Sequence, residues 1–406
     1  MQQGRDQAVE LFQGQPVPRV QNILTGYGQF FQRDDLFFVI GCCWRAGRSC
    51  DWCCGRAGRF GCCRKVYNLM LADKITYYQE HQKMLQTTPA QYKKEYPFLK
   101  EVDSLALANV QINLQTAYKN FFRDKKVGFP KYKSAKHSRK SYTTNNQKGT
   151  VTITDKGIKL PKAGIVKAKI HRLPNEDWII KSATVSQERD GTYYISILFE
   201  YEAKELYAPV TSMSTLGLDY KSDGLYVDSD GNDCDMPHYY RLSQDKLAKS
   251  QRKLKHKTVG SNNYHKQQEK IARIHRHIAN QRKDFLHKKS TEIANQYTCV
   301  CVENLNMSSM ANKGFGNGKA TLDNSYGMFI NFLEYKLKDR GGYLIKVDKW
   351  FPSSQLCHWC GYRSENLKDL RIRKWDCPRC GHEGINRDWN SAINIKVEGL
   401  RILELA

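Results

Sequence analysis

Two pairs of cysteines near the C-terminus have the residue type and the spacing of a metal site. One pair is Cys357 and Cys360, the other is Cys377 and Cys380, and sixteen residues separate the two pairs. Four thiolates about 2.3 Å from one ion complete the tetrahedral coordination of zinc. In a reducing compartment, regular pairs of this kind bind metal rather than form disulfides. The pattern therefore predicts a closed structural Zn²⁺ site, and the alternative is four unrelated buried cysteines.

Three acidic residues, Asp219, Glu303 and Asp388, end or follow predicted secondary-structure elements. In the strands predicted before Asp219 and Glu303, apolar residues alternate, so each carboxylate lies on the face opposite its apolar neighbours. Asp388 lies in the first turn of a predicted helix, where an acidic residue usually acts as a cap. Each residue taken singly is more often a cap or turn residue than a ligand. Together, three separated carboxylates in a basic chain suit two Mg²⁺ ions that clamp a phosphodiester during hydrolysis, and hard-oxygen sites accept Mn²⁺ as well.

The elements that must position these residues follow from the period of the apolar residues. Residues 60–140 have roughly helical periodicity, which predicts a helical region. Residues 141–210 alternate with a period of two and contain turn signals such as Arg189-Asp190-Gly191, which predicts a small antiparallel barrel or sheet. Strands and helices mix in residues 211–406, so the whole chain is assigned to the α+β multidomain class, with a catalytic type of domain last.

A strongly basic segment interrupts this last region. Residues 246–289 contain 14 Lys and Arg against two acidic residues, and three isoleucines form a narrow apolar stripe. We expect a basic helical hairpin over residues 242–296, with its turn near Gly260. The alternative is an ordinary solvated helical face. Because such faces normally mix both signs of charge, contact with phosphate is favoured.

Residues 1–59 form an atypical N-terminal extension in which apolar residues follow no helical or strand period. Adjacent cysteines, Cys42-Cys43 and Cys53-Cys54, raise the alternative of a second zinc site, but ordinary zinc ligands are two to four residues apart. The favoured interpretation is a poorly structured extension, or a translation that starts outside its usual context.

The overall composition excludes several classes of protein. A length of 406 residues allows two or three domains, which excludes a small disulfide-stapled scaffold. An apolar fraction of 40% excludes disorder of the whole chain, and no apolar run is long enough to span a bilayer. Lys and Arg number 65 against 41 Asp and Glu, a net charge of +24, which favours nucleic acid as the partner over a membrane surface. We therefore expect a soluble cytoplasmic protein without a membrane partner.

The order and spacing of the motifs between residues 60 and 404 resemble the TnpB (OrfB) family of insertion-sequence proteins, which is related to type V CRISPR effectors. Besides the cysteine pairs, the motifs that carry the resemblance are Leu216-Gly217-Leu218-Asp219, Val300-Cys301-Val302-Glu303-Asn304-Leu305-Asn306, Lys349-Trp350-Phe351-Pro352-Ser353-Ser354 and Arg387-Asp388-Trp389-Asn390-Ser391-Ala392. The resemblance implies a helical recognition lobe at residues 60–140 and a wedge β-barrel at residues 141–210. Residues 211–406 would form a RuvC-like, ribonuclease-H-type nuclease domain with an inserted zinc ribbon at residues 354–383.

The resemblance also implies roles for the candidate residues. Asp219, Glu303 and Asp388 would be the catalytic, Mg²⁺-binding carboxylates, and the four cysteines would be structural Zn²⁺ ligands. The implied activity is that of a transposon-encoded, RNA-guided DNA endonuclease, a kind of protein also described as a transposase. Its partners would be a guide RNA from the transposon end and double-stranded DNA, which the protein cuts next to a short motif.

Two other classes of function remain as alternatives. In the first, the protein is a non-catalytic, nucleic-acid-binding regulator of transposition or a decayed reading frame. In the second, it is a transposase that joins strands without a guide RNA. Copurified RNA of a defined length would distinguish the RNA-guided enzyme from such a transposase.

The N-terminus departs from the family pattern. Members usually begin with a strand, rich in basic and aromatic residues, that opens the wedge barrel. Residues 1–59 contain no such strand that the sequence identifies, and a barrel that lacks its first strand would keep an exposed edge. Near the C-terminus, Asn386 stands where many members have an acidic residue, but Asp388 keeps the position of the catalytic carboxylate. Arg387 and Asn390 are candidates to orient phosphate or the neighbouring loop.

Overall fold

The computed structural model describes residues 31–40, 51–124, 126–170, 173–202, 206–312, 318–369 and 371–404. This part of the chain forms two compact units, an N-terminal unit that ends at residue 202 and a C-terminal unit that begins at residue 206. None of the helices in these ranges has the length and apolar character that crossing a membrane requires.

A five-stranded antiparallel sheet and two long helices dominate the N-terminal unit. The helices are α1 (Asp51–His81), α2 (Tyr92–Glu95) and α3 (Ser104–Arg123). The strands are β1 (Phe31–Ile40), β2 (Lys140–Asn145), β3 (Thr152–Thr154), β4 (Gly157–Leu160), β5 (Gly164–Val166), β6 (Ala168–Lys169), β7 (Ile179–Gln187) and β8 (Tyr193–Glu202). The large sheet has the order β2-β7-β8-β1-β6, and β3, β4 and β5 form a separate three-stranded sheet.

The strand β1 lies between β8 and β6, and it pairs with β8 along its whole length, from Phe31 opposite Glu202 to Ile40 opposite Tyr193. The expectation that residues 1–59 supply no recognisable strand is therefore wrong for residues 31–40, which pair on both sides. The end of β1 is a short apolar run without alternation, and periodicity alone cannot assign such a run to a strand. Its partners β6 and β8 lie far along the chain, so the pairing is a tertiary property.

The helix α1 begins at Asp51, earlier than the expected start of the helical region at residue 60. It packs against α3, and fully buried side chains such as Leu71 of α1 and Leu114 of α3 belong to one apolar core with the sheet. The cysteines Cys42 and Cys43, considered above for a second zinc site, lie outside the described residues, and so do the side chains of Cys53 and Cys54.

A second five-stranded sheet organises the C-terminal unit. The helices of this unit are α4 (Tyr239–Lys255), α5 (Asn262–Gln296), α6 (Met307–Met310), α7 (Gly318–Asn324), α8 (Tyr326–Lys338) and α9 (Arg387–Glu404). Its strands are β9 (Thr215–Tyr220), β10 (Tyr226–Asp228), β11 (Asp233–Cys234), β12 (Cys299–Glu303), β13 (Tyr343–Val347), β14 (Lys374–Trp375) and β15 (Ile385–Asn386). The sheet order is β11-β10-β9-β12-β13, in which β9, β12 and β13 are parallel and β10 and β11 are antiparallel to their neighbours.

Helices cover both faces of this second sheet. On one face, apolar residues of β9 and β12 pack with α5 and α8, the strand residues being Leu216, Leu218, Val300 and Val302. On the other face, Cys299 and Cys301 of β12 pack with Ile395 of α9. Because side chains alternate along a strand, Asp219 and Glu303 belong to the face that α9 covers.

The helix α9 approaches the sheet closely at two glycines. A Cβ atom on Gly217 of β9 would lie 2.1 Å from the carbonyl oxygen of Ala392, and a Cβ atom on Gly399 would lie 2.2 Å from Cys301 Sγ. A side chain at either position would collide with these atoms, and glycine avoids the collision, so the helix can pack directly on the sheet. The close packing brings the first turns of α9 to the ends of β9 and β12.

The basic segment folds into α4 and α5, which residues 256–261 connect. Gln267 Nε2 donates a hydrogen bond of 2.9 Å to the carbonyl oxygen of Ser250, which joins the two helices. A groove between them is lined by side chains that include Lys246, Lys253 and Lys270.

Candidate active site

The four cysteines Cys357, Cys360, Cys377 and Cys380 come together beside the β14-β15 pair, with all four Sγ atoms within 4.8 Å of one another. The Sγ atoms of Cys357 and Cys380 are 3.7 Å apart, and those of Cys360 and Cys377 are 3.6 Å apart. Thiolates about 2.3 Å from a tetrahedrally bound ion are about 3.8 Å from one another. The cluster therefore has the geometry to hold one metal ion.

Each cysteine pair lies in a tight turn that its backbone stabilises. The amide of Gly361 donates to the carbonyl oxygen of Cys357 at 2.8 Å, and the amide of Gly381 donates to that of Cys377 at 2.9 Å. Both glycines have a positive φ, 70° and 72°, which other residues adopt only at a cost. Burial acts to raise the pKa of Cys377, but hydrogen bonds from backbone amides of the turn outweigh it and lower that pKa to about 7. The thiolate, which is the form that binds metal, is thereby favoured at Cys377, whereas burial raises the pKa values of Cys357 and Cys360.

The three candidate carboxylates lie on three different elements of the C-terminal unit. Asp219 is in β9, Glu303 is the last residue of β12, and Asp388 is the second residue of α9. Because β9 and β12 are parallel neighbours, their carboxyl ends meet at the same edge of the sheet. The close packing of α9 on both strands adds Asp388 at this edge.

Electrostatic repulsion links the carboxylates. Burial raises the pKa of Asp219 well above its ordinary value, and the charges of Glu303 and Asp388 raise it further. Burial also raises the pKa of Glu303. A cation among these groups would relieve the repulsion and stabilise their ionised forms. The site therefore has the electrostatic character of a cation site.

Two serines connect Asp219 with Glu303. Ser391 Oγ donates to Asp219 Oδ1 at 3.1 Å, and Ser353 Oγ donates to Glu303 Oε1 at 2.6 Å. The two hydroxyl oxygens lie 2.9 Å from each other. Neither serine was predicted as a site residue from the sequence, although both lie within the motifs that carry the family resemblance.

Asp388 has a different environment from the other two carboxylates. Arg373 Nη1 donates to both carboxylate oxygens of Asp388, at 3.2 and 3.4 Å. The helix cap is Asn386, whose Oδ1 accepts hydrogen bonds from the amides of Asp388 and Trp389 at 3.0 and 3.1 Å. Because Asn386 caps α9, the interpretation of Asp388 as a simple cap is wrong. Its carboxylate takes no part in the cap and pairs with Arg373 instead.

Asn390 and Asn394 of α9 hold the loop that leads into the cysteine cluster. Both side chains donate to the carbonyl oxygen of Leu356 at 2.7 Å, and Asn394 Nδ2 also donates to that of Ser353 at 2.8 Å. The amide of His358 donates to Asn390 Oδ1 at 3.0 Å. Of the two roles considered for Asn390, the structure therefore favours the orientation of the neighbouring loop.

Arg387, the first residue of α9, is buried rather than presented to solvent. Its Nη1 lies 3.4 Å from the carbonyl oxygen of Asp369 and 3.5 Å from that of Ile372. Its positive charge acts to lower the pKa of Asp219, although burial and the neighbouring carboxylates outweigh this effect. Arg387 therefore supports the loop before β14 and offsets part of the negative charge of the site.

Tyr326, at the start of α8, adds a polar group that the sequence analysis missed. Its hydroxyl is buried and has no hydrogen-bond partner in the described part of the chain. Burial raises the pKa of Tyr326, and the charges of Asp219 and Glu303 raise it further. Its neutral phenol therefore lies close to the carboxylates.

The cysteine cluster and the carboxylates differ as metal sites. In the described ranges, the four cysteines are the one group of three or more His, Cys, Asp or Glu residues whose ligand atoms all lie within 4.8 Å. The three carboxylates do not meet within that span. Two divalent ions about 3.5 to 4 Å apart reach ligands over a wider span than one ion does. Carboxylate oxygens are ligands of the kind that hard cations such as Mg²⁺ and Mn²⁺ prefer.

Sequence models of known families match three parts of the chain. A model described as "Probable transposase", of the OrfB type of IS605, matches residues 196–313, which include Asp219 and Glu303. A model described as "Cas12f1-like, TNB domain" matches residues 326–395, which include the four cysteines and Asp388. A model described as "Helix-turn-helix domain", also of the OrfB type, matches residues 58–83, most of which belong to α1.

Curated proteins and solved structures match most of the chain. A Streptomyces pristinaespiralis protein named "Putative RNA-guided DNA endonuclease" is 34% identical over 357 residues, which is 84% of each chain. InsQ of Escherichia coli K12, which has the same description, is 31% identical over 364 residues, 84% of this chain and 88% of its own. The "TnpB-like protein L79" of Acanthamoeba polyphaga mimivirus is 28% identical over 137 residues, 32% of this chain and 25% of its own.

The fold also resembles a solved structure. The protein in "Cryo-EM structure of the Cas12f1-sgRNA-target DNA complex" matches with a TM-score of 0.51 and 15% identity, over 85% of this chain and 82% of that one. At this identity the match concerns the fold, which combines helices and sheets in both proteins. Two relatives are more than 30% identical to this chain over 84% of its length, and this similarity establishes the family. The chain belongs to the TnpB (OrfB) family.

Proposed function

We propose that the protein is a transposon-encoded, RNA-guided DNA endonuclease. Hydrolysis of the DNA phosphodiester bond would be catalysed by Asp219, Glu303 and Asp388. The observation that carries the proposal is the placement of these carboxylates on β9, β12 and α9 at one edge of the sheet, where the charges of Glu303 and Asp388 act on Asp219. The names of the two relatives that match over 84% of the chain support the same activity.

The C-terminal unit would be a RuvC-like nuclease domain of the ribonuclease H type. The sheet order β11-β10-β9-β12-β13 supports this assignment, because three antiparallel strands followed by two parallel ones is the arrangement of that fold. In the N-terminal unit, the helices would form the recognition lobe and the large sheet would belong to the wedge barrel. The basic hairpin of α4 and α5 and the cysteine cluster would be insertions into the nuclease domain.

Asp219, Glu303 and Asp388 would hold two Mg²⁺ or Mn²⁺ ions. When bound, such ions lower the pKa of a water molecule and stabilise the charge that develops on the scissile phosphate. The residues of the chain prepare this site: the close packing of α9 brings Asp388 to the strand ends, and Ser353 and Ser391 donate to two of the carboxylates. Because the pKa values of Asp219 and Glu303 are raised, protons compete with a cation for these carboxylates, and cation affinity should rise with pH.

The four cysteines would hold a structural Zn²⁺ ion. Their Sγ separations of 3.6 and 3.7 Å suit tetrahedral thiolate coordination, and four protein ligands leave no open position for a reacting water. Asn390 and Asn394 connect this cluster to α9, which also carries Asp388. The zinc ribbon would therefore stabilise the loop beside the carboxylates without taking part in the chemistry.

Guide RNA from the transposon end and double-stranded DNA would be the partners. A net charge of +24 supports contact with the phosphate backbones of both. The Cas12f1 protein of similar fold forms a complex with an sgRNA and a target DNA, which supports the same two kinds of partner here. Base pairing would then supply sequence recognition, and the protein would bind the backbones.

The test is cleavage of double-stranded DNA by the protein coexpressed with RNA from the transposon end. We expect cutting of a matched target in Mg²⁺, no cutting in EDTA, and a loss on the order of 100-fold or more in Asp219→Asn, since even ligand-supporting residues cost 10 to 100-fold. Asp235→Asn is the matched control, because Asp235 is an exposed carboxylate of the same unit that pairs with Lys221.

Binding of RNA and DNA without cutting under all of these conditions would favour the non-catalytic regulator. Strand joining without RNA would favour a transposase of the ordinary kind.

A further inference from the structure

We propose that Ser353 and Ser391 form a hydroxyl bridge that sets the positions of Asp219 and Glu303 relative to each other for cation binding. The inference rests on the proposed function, because it assigns two positioning residues to the same carboxylate site. The serines act through the carboxylates. They are not proposed as ligands.

The bridge consists of three short contacts in series. From Asp219 Oδ1 the path runs 3.1 Å to Ser391 Oγ, 2.9 Å to Ser353 Oγ and 2.6 Å to Glu303 Oε1. Ser353 is 4% exposed and Ser391 is 1% exposed. Solvent therefore does not replace either hydroxyl, and each carboxylate depends on its serine for this hydrogen bond.

The environment of each serine makes the bridge rigid. Ser391 lies three residues after Asp388 on α9, so both side chains lie on the same side of the helix. The backbone of Ser353 is held from the same helix, because Asn394 Nδ2 donates to its carbonyl oxygen at 2.8 Å. One helix therefore carries Asp388 and Ser391 and also fixes the loop that presents Ser353.

The usual role of a buried serine is different from this one. Ser290 of α5, for example, is fully buried and donates within its own helix, to the carbonyl oxygen of Leu286 at 2.7 Å. That bond uses the hydroxyl proton within the helix, and the same oxygen accepts from Lys336 Nζ at 2.7 Å, so no carboxylate depends on it. Ser353 and Ser391 instead donate to carboxylates on neighbouring strands, and neither satisfies itself within its own turn. Hydrogen bonds to ionised acceptors are also stronger than those to neutral ones.

The hydrogen bonds from the two serines hold in place carboxylates that repel each other. Asp219 and Glu303 repel each other, and without a restraint their side chains would rotate apart. A carboxylate that is already oriented binds a cation without the loss of rotamer freedom on binding, so its affinity is higher. Each serine has one hydroxyl proton, which it donates to its carboxylate, so the 2.9 Å separation of the two oxygens is a packing contact. Removal of one hydroxyl leaves the other free to move, and the two serines should therefore behave as one unit.

The experiment measures Mn²⁺ binding directly, by electron paramagnetic resonance of free Mn²⁺, with the zinc-loaded, nucleic-acid-free full-length protein. We expect Ser353→Ala and Ser391→Ala each to weaken binding about tenfold, as outer-shell partners of metal ligands do. The double variant should bind Mn²⁺ with nearly the same affinity as either single variant. Ser354→Ala, the same change one residue along the loop, should leave binding unchanged. Thermal unfolding in EDTA, compared across all variants, shows that each remains folded.

The result separates the inference from the proposed function. If Asp219→Ala binds Mn²⁺ as tightly as the unaltered protein, the carboxylates are not the metal site and the proposed function fails. If Asp219→Ala loses binding but both serine variants bind like Ser354→Ala, the hydroxyl bridge is overturned and the metal site stands. Fully additive losses in the double variant would also overturn it, because they would mean that the serines act independently.

Discussion

Asp388 is the one carboxylate of the three with a cationic partner among the described residues of its site. Arg373 Nη1 lies 3.2 Å from Asp388 Oδ2, while Asp219 and Glu303 accept from serine hydroxyls. A guanidinium and a divalent cation compete for the same oxygens. Arg373 therefore occupies part of the position that a metal ion would take.

Replacing Arg373 with alanine should strengthen Mn²⁺ binding. The Arg373 side chain is 66% exposed and that of Asp388 is 25% exposed, so the pair is screened and worth about 0.2 to 1 kcal/mol. Removal of this competitor corresponds to an affinity gain of about 1.4- to 5-fold and should lower the free energy of unfolding by no more than about 1 kcal/mol. Titration with Mn²⁺ and a denaturant melt measure the two quantities.

Arg371→Ala is the matched control, because Arg371 forms a similar exposed pair with Asp369 in the same loop, at 2.7 Å. It removes the same charge without freeing a candidate ligand. An equal gain in both variants would mean that the general field of the loop, and not competition at Asp388, governs affinity.

Sequence reasoning predicted where the candidate carboxylates lie but not what surrounds them. Asp219 lies one residue before the end of β9 and Glu303 is the last residue of β12, and the alternation along each strand decides the face of each side chain, which is a local property. The partners Ser353, Ser391 and Arg373 come from segments that only tertiary packing brings to the strand ends. Serine and arginine are also too common for their positions to predict such contacts, so the catalytic roles remain a prediction that the geometry supports.

At the scale of elements, the site depends on the distance between α9 and the sheet. Gly217 of β9 leaves room for the backbone of α9, since a Cβ atom there would lie 2.1 Å from the carbonyl oxygen of Ala392 and 2.8 Å from the amide of Lys396. Both contacts are with backbone, which cannot move without displacing the helix. The same helix carries Asp388 and Ser391.

Gly217→Ala should therefore destabilise the C-terminal unit and reduce activity. Overpacking of this kind costs about 1 to 3 kcal/mol, and displacement of α9 would separate Asp388 from Asp219. Denaturant unfolding followed by DNA cleavage below the transition checks both effects.

Gly327→Ala in α8 is the comparison for this substitution. Its Cβ atom would meet only Met307 Cγ, at 3.8 Å, an ordinary contact. Alanine there should stabilise the helix by about 0.5 to 1 kcal/mol. If Gly217→Ala proved as stable as Gly327→Ala, the close approach of α9 to β9 would not be a constraint on the fold.

The cysteine cluster is the element that sequence spacing predicts best, because four ligands within a short segment must meet at one ion whatever the rest of the fold does. The strand β1 is the opposite case. Its partners β6 and β8 lie far along the chain from it, and the apolar residues at its end do not alternate with polar ones. Long-range pairing of this kind leaves no local signal in the sequence.

The purified protein should contain one zinc ion per chain, and Cys360→Ser should lose it. A serine oxygen is a poor zinc ligand, so loss of one thiolate opens the closed site. Because Asn390 and Asn394 join the cluster loop to α9, the variant should also unfold at lower temperature. Elemental mass spectrometry and a thermal melt provide the measurements. Cys234→Ser, at a partly exposed cysteine of β11, should keep both zinc and stability.

At the scale of the whole molecule, charge decides which partners the protein meets. The net charge of +24 is distributed unevenly, since residues 246–289 have 14 basic residues and two acidic ones. The helices α4 and α5 place Lys246, Lys253 and Lys270 along one groove. A groove lined by one sign of charge attracts a polyanion more strongly than the same charges spread over a surface.

The triple variant Lys246→Ala, Lys253→Ala and Lys270→Ala should weaken nucleic-acid binding in a salt-dependent manner. Each phosphate contact contributes about 0.9 to the slope of log K against log salt for duplex DNA, so three lost contacts lower that slope by about 2 to 3. A control triple variant replaces Lys288, Lys346 and Lys368, which pair with Asp284, Glu334 and Glu365. Its slope should change less, because neighbouring carboxylates already neutralise these lysines. The measurement is the affinity of both triple variants for duplex DNA and for RNA between about 50 and 200 mM salt. Equal slopes for the two variants would mean that net charge alone, and not the groove, attracts the phosphates.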